Sequence, residues 1–174
     1  MGGTRTGRST ARGDRGEARD DGDDVPVSAP LTRLAGYASV FGVPDAGGDV
    51  VERGAFARAI GSSVPLLWQH DANTPIGLVD RIAEDARGLR IIASVEDTRT
   101  GRDALALLAA RALTGLSFGY RVRASRPTRG GRILTDLELI EVSLVTFPMQ
   151  RLARVHAISP AARTGTLSNQ ENLA

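Results

Sequence analysis

Three side chains in this sequence have the types of a nucleophile, a base and an orienting acid: Ser117, His70 and Glu141. Around Ser117, the apolar Leu116, Phe118, Tyr120 and Val122 alternate with Gly115, Gly119 and Arg121. That alternation predicts a half-buried strand with Ser117 on the sparsely covered face. Glycine weakens a strand interior and marks a place where another group comes close. Gly115 and Gly119 therefore clear either a substrate groove over Ser117 or room for a neighbouring helix.

A serine hydroxyl is a poor nucleophile until an adjacent imidazole takes its proton. The chain has two histidines, His70 and His156. His70 follows the apolar Leu66-Leu67-Trp68 and Gln69, where it equally suits a turn with Asp71 and Asn73. Glu141 sits in a run that is apolar on both faces, with Leu137, Leu139, Ser143 and Val145 sharing its own face by strict alternation. A buried carboxylate needs a partner. Histidine is one candidate, and an arginine such as Arg121 or Arg151 is the other. Ser143 competes as a nucleophile but lacks the flanking glycines. Spacing alone does not bring these groups together.

Composition removes other chemistries. There is no cysteine, and all 22 basic residues are arginine. Thiolate nucleophiles, cysteine metal sites, serine–lysine dyads and Schiff bases are excluded. The serine-histidine-glutamate set needs no cofactor and no metal. Net charge is only +2 and aromatics make up 4%, so no basic stripe with interleaved aromatics points to direct nucleic-acid binding. Arg121–Arg132, the most basic stretch, reads as a solvated hairpin tip. No apolar run is long enough for a membrane span, and the first residues lack the apolar segment of a signal peptide.

The elements that must position the three residues are mostly strands. Residues 1–25 and 159–174 read as disordered tails around one domain over 26–158. Strands are expected at Leu31–Phe41, Val64–His70, a hairpin within Ile76–Asp97, Gly115–Ser125, Ile133–Phe147 and Ala153–Ile158. Helices are expected at Val51–Ile60 and Thr98–Leu113, the second capped by Thr98 or Thr100. About seven strands in so small a domain favour an α+β protein built on a small closed antiparallel barrel, which leaves no edges.

Taken in order, Leu-Leu-Trp-Gln-His-Asp with Pro-Ile-Gly after it, Gly-Leu-Ser-Phe-Gly-Tyr, and Leu-Ile-Glu-Val-Ser-Leu-Val-Thr-Phe-Pro resemble the prohead serine proteases of tailed double-stranded DNA phages. Gly47–Phe56 resembles that family's opening motif, and the likeness runs from about Leu34 to Ile158. It implies a herpesvirus-assemblin-like barrel and a serine endopeptidase acting inside the assembling procapsid, in the cytoplasm of a bacterial host. The substrate would be a scaffold protein or the scaffolding segment of the major capsid protein, with self-cleavage and self-association. The family's histidine, serine and acid fall on His70, Ser117 and Glu141. Viral assemblins use a second histidine as third member, which makes His156 the runner-up. Arg151 and Arg154 are candidates for holding an oxyanion-stabilising loop. After Phe147-Pro148 the family's usual Ala-Asn-Pro-like turn is replaced by Met149, Gln150 and Arg151. The same family role occurs in gene transfer agents.

Two other classes compete. One is a catalytically silent assembly barrel that binds capsid subunits. The other is an esterase, because Gly115–Gly119 matches Gly-x-Ser-x-Gly as a string. That motif belongs between a strand and a following helix, whereas here it follows a helix and continues as a strand.

Overall fold

The computed structural model describes residues 31–160. The tails expected at 1–25 and 159–174 fall outside them, except Ser159 and Pro160, which extend the last strand. The strands are β1 (Thr32–Val40), β2 (Val50–Val51), β3 (Val64–Trp68), β4 (Asp71–Glu84), β5 (Gly88–Val95), β6 (Gly115–Thr128), β7 (Gly131–Val145) and β8 (Arg154–Pro160). One helix, α1 (Arg99–Ala109), connects β5 to β6.

Seven strands close into a barrel in the order β7-β3-β4-β5-β1-β8-β6 and back to β7. Every seam is antiparallel except β3 with β7, which is parallel, so the barrel is mixed. The two-residue β2 pairs in parallel with Val51 opposite Leu134, on β7 outside the ring. The thinnest closure is β8 to β6, a single rung at Gly115↔Arg154. There β1 comes in closely: a Cβ on Gly36 would lie 2.7 Å from Leu116 Cδ1.

The barrel is filled by Leu34, Leu66, Val79, Leu89, Ile91 and Leu116, each buried at 1% exposure or less. Fully burying a side chain of this size is worth about 1.5–3 kcal/mol. Leu116 anchors the apolar face of β6, and Phe118 and Tyr120 pack partly buried beside it. Phe118 meets Phe56 edge-on with centroids 5.2 Å apart.

Two helix boundaries depart from the expectation. Val51–Ile60 forms no α-helix, only β2, turns and the 3₁₀ turn Ala57–Ala59. Gly54 adopts φ +96°, and the Glu84 carboxylate accepts the Gly54 and Phe56 amides at 2.7 and 2.8 Å, fixing a turn that a helix would break. The second helix starts where Thr98 caps it through the Gly101 amide, but it ends at Ala109 rather than Leu113. Arg111 takes the left-handed φ of +57° in its stop, a position usually held by glycine.

Candidate active site

His70 is presented by a two-residue hairpin turn. Trp68 pairs with Asp71, so Gln69 and His70 are the whole β3–β4 connection, at φ +53° and +61°. Positive φ at both positions is what a two-residue hairpin turn requires, and glycine or asparagine normally supplies it. Holding two larger residues there costs on the order of 1 kcal/mol each. The cost is offset by ties to β7. The Gln69 amide N–H donates to the Leu144 carbonyl at 2.9 Å, and its side chain exchanges two hydrogen bonds with Thr146. The backbone N–H of His70 donates to Ser143 Oγ at 3.2 Å.

Glu141 reaches its position through a β-bulge. Gly119 pairs with Glu141, but the next residue, Tyr120, pairs with Leu139, leaving Ile140 as the extra residue. Ile140 is 41% exposed. The bulge resets the alternation, so strict period-two reading fails across it. Leu137 and Leu139 fall in with Val142 and Leu144 in the core, while Glu141 and Ser143 share the outer face. The sequence expectation placed Leu139 on the face of Glu141; the bulge is the reason it is not there.

On that outer face Glu141 Oε1 lies 2.8 Å from His70 Nδ1. Its second oxygen, Oε2, accepts from the Ser143 hydroxyl at 2.6 Å. The carboxylate accepts from Nδ1–H, which leaves Nε2 as the basic nitrogen. The glutamate is 9% exposed and the imidazole 42%, so the pair is anchored in the protein and opens to solvent on the histidine side. Neither arginine expected as an alternative partner binds Glu141: Arg121 pairs with Glu138 at 3.6 Å, and Arg151 offers its carbonyl to Arg154 Nε.

Ser117 stands directly across the ladder from Ser143, and opposed residues of an antiparallel pair share a face. Ser117, Ser143, Glu141 and His70 therefore occupy one side of the β6–β7 pair. Ser117 is 4% exposed, and among the described residues no hydrogen bond joins its hydroxyl to His70. Such bonds are often long or absent without substrate and tighten in the complex.

The flanking glycines make room for the protein itself. A Cβ on Gly119 would lie 2.5 Å from Glu141 Oε1, and one on Gly115 would meet the Val145 carbonyl and lie 2.9 Å from Pro148 Cδ. The open groove expected over them is filled: the carboxylate of Glu141 occupies one clearing and Pro148 the other. Ser143, read as a competing nucleophile, has its proton committed to Glu141. His156 lies apart, its ring against Tyr37 at 5.5 Å.

Past β7, Gln150 is the residue that sequence reasoning missed. Its buried amide accepts the Val40 N–H and donates to the carbonyls of Val40 and Val43 at 2.9 Å each, tying the turn after Pro148 to the end of β1. Arg154 braces the same turn, donating to the Arg151 carbonyl at 3.0 Å and to Thr114 Oγ1 at 3.2 Å. No local spacing signal marks a glutamine for such a role.

A family model described as caudovirus prohead serine protease matches residues 23–167. The prohead protease of Enterobacteria phage HK97 is 30% identical over 145 residues, 79% of this chain and 64% of that protein. The chain thus spans just under two thirds of that relative. Among solved structures, KSHV protease in complex with a hexapeptide phosphonate inhibitor aligns with a TM-score of 0.55 at 14% identity, covering 74% of this chain and 65% of that one. At such identity the likeness concerns the fold: both are barrels of one architecture.

Proposed function

The chain belongs to the caudovirus prohead serine protease family, and on that premise we propose that it is a serine endopeptidase of capsid maturation with Ser117, His70 and Glu141 as its catalytic set. Ser117 Oγ attacks the scissile carbonyl while His70 Nε2 takes its proton. The tetrahedral intermediate collapses as His70 returns that proton to the leaving amine. Water then hydrolyses the acyl-enzyme by the same route. Glu141 fixes the imidazole through Nδ1 and stabilises the imidazolium. The observation that carries this reading is the 2.8 Å contact between His70 and Glu141 on the face that also holds Ser117.

The substrate in this reading is a scaffold protein or the scaffolding segment of a major capsid protein, cut inside the procapsid within the bacterial host. Self-cleavage and self-association belong to the same proposal, as do the absence of direct nucleic-acid binding and membrane attachment. Co-expression with the capsid and scaffold proteins tests it: Ser117→Ala leaves particles unprocessed while the variant stays folded. Processing at the wild-type rate by that variant contradicts the assignment. A silent assembly barrel draws its support from the burial of Ser117. It predicts that Ser117→Ala assembles and matures particles like wild type.

A further inference from the structure

A cavity of about 190 Å³ lies between β1, β6, the Asp45–Asp49 turn and Met149–Gln150, and Ser117 is part of its wall. It sits where the barrel closes least. Beyond the rung at Gly115, β6 makes no further pairing with β8 among the described residues, so the edge of β6 past Leu116 faces the end of β1.

Ser39 lines this cavity and is 1% exposed. Its hydroxyl has no hydrogen-bond partner among the described residues. Leaving a buried hydroxyl unpaired costs about 1–3 kcal/mol, and folded proteins hold few such groups. One kept beside a nucleophile points to a ligand atom. The other polar side chains there are Ser117, Tyr120, Asp45, Asp49 and Gln150. Asp45 Oδ1 takes the Gly47 and Asp49 amides and Asp45 has no cationic partner among the described residues, while Asp49 pairs with Arg132. The Gln150 amide is fully engaged with Val40 and Val43. Val51, Leu134 and Met149 supply apolar walls.

Resting on the protease reading above, we propose that this cavity is a specificity pocket for a long, unbranched substrate side chain tipped with N–H donors, lysine or glutamine, selected by the Ser39 hydroxyl. A peptide laid along the free edge of β6 sends alternate side chains to opposite faces. The one beside Phe118 points to the Leu116–Phe118–Tyr120 side, into the cavity, while the scissile carbonyl stays near Ser117. The apolar walls take the stem, and Ser39 and the free oxygen of Asp45 take the donors.

The test digests a proteome-derived peptide library with the full chain and reads the residues flanking each cut by mass spectrometry. Lysine and glutamine are expected at one position within two residues of the cleaved bond. Matched peptides with lysine or alanine there then give kcat/KM ratios. Ser39→Leu fills the cavity and lowers the lysine-to-alanine ratio about tenfold or more, in the range by which pocket contacts discriminate. Ser39→Ala lowers it less and adds no bulk, which covers the case in which leucine disrupts β1. Cuts without such a preference, or an unchanged ratio in both variants, overturn the pocket. If a fluorophosphonate labels Ser117 in the wild type yet cleavage is unselective, the pocket alone fails. If there is neither labelling nor cleavage, the protease reading falls and the pocket with it.

Discussion

The Ser143 hydroxyl donates to Glu141 Oε2 at 2.6 Å from the rung of the ladder directly opposite Ser117. It also receives the backbone N–H of His70. One buried side chain thus orients Glu141 and pins the left-handed turn that carries His70. Ser143→Ala removes both ties and leaves a carboxylate oxygen buried without its donor, a loss of about 1–3 kcal/mol. The expected result is a kcat lower by roughly ten- to a hundredfold with KM little changed, and partial rescue by Ser143→Thr. Steady-state kinetics on a fluorogenic peptide read it; an unaltered kcat denies Ser143 any positioning role.

Gly119 is required by a side chain of the protein itself. A methyl there collides with Glu141 Oε1, so Gly119→Ala pushes the carboxylate off His70. Activity falls by about two orders of magnitude or more, as expected for a misoriented triad histidine. Thermal unfolding measured beside kinetics separates this from global destabilisation. Full activity in a folded Gly119→Ala variant contradicts the arrangement.

Glu141 and His156 compete for one role, and their variants discriminate between them. Glu141→Gln is expected to lower kcat by about 10⁴, the scale seen when the acid of a triad is neutralised. His156→Ala, which removes a ring packed at a tilt against Tyr37, leaves kcat within about twofold. The opposite ranking would hand the third position to His156.

Arg132 donates to Asp49 twice from its guanidinium and once from its backbone N–H, and holds its carboxyl below the usual carboxylate range, chiefly through the side-chain hydrogen bond. A depressed folded-state pKa adds stability above the unfolded pKa of about 3.9 and loses it as pH falls through the folded value. Denaturant midpoints between neutral pH and pH 3 should therefore fall less steeply in Arg132→Ala than in the wild type. Parallel curves for the two proteins would show that the pair contributes nothing on the acid side.

Much of the site was legible because strands report their faces by alternation. Ser117 between two glycines, and His70 after an apolar run, follow from the residues alone, and the ordered motifs carried the family. What local pattern could not show was the bulge at Ile140. A single extra residue reverses the phase of β7, and no residue type in Leu139-Ile140-Glu141 announces it. The left-handed Gln69–His70 turn was equally hidden, since neither residue is the glycine or asparagine that marks such turns. The end of α1 was missed for the same reason at Arg111. In each case long-range bonds select a backbone that the local sequence does not favour. The role of Ser143 depends on three strands meeting, so only the closed barrel reveals it.

Ser117 acting as a nucleophile activated by His70 has a direct chemical signature. Incubating the full chain with a fluorophosphonate and locating the adduct by peptide mass spectrometry tests it directly, at protein concentrations high enough to allow self-association. Modification is expected at Ser117 in the wild type and is lost in His70→Ala. Adducts at another serine, or equal labelling of Ser117 in both proteins, would contradict it.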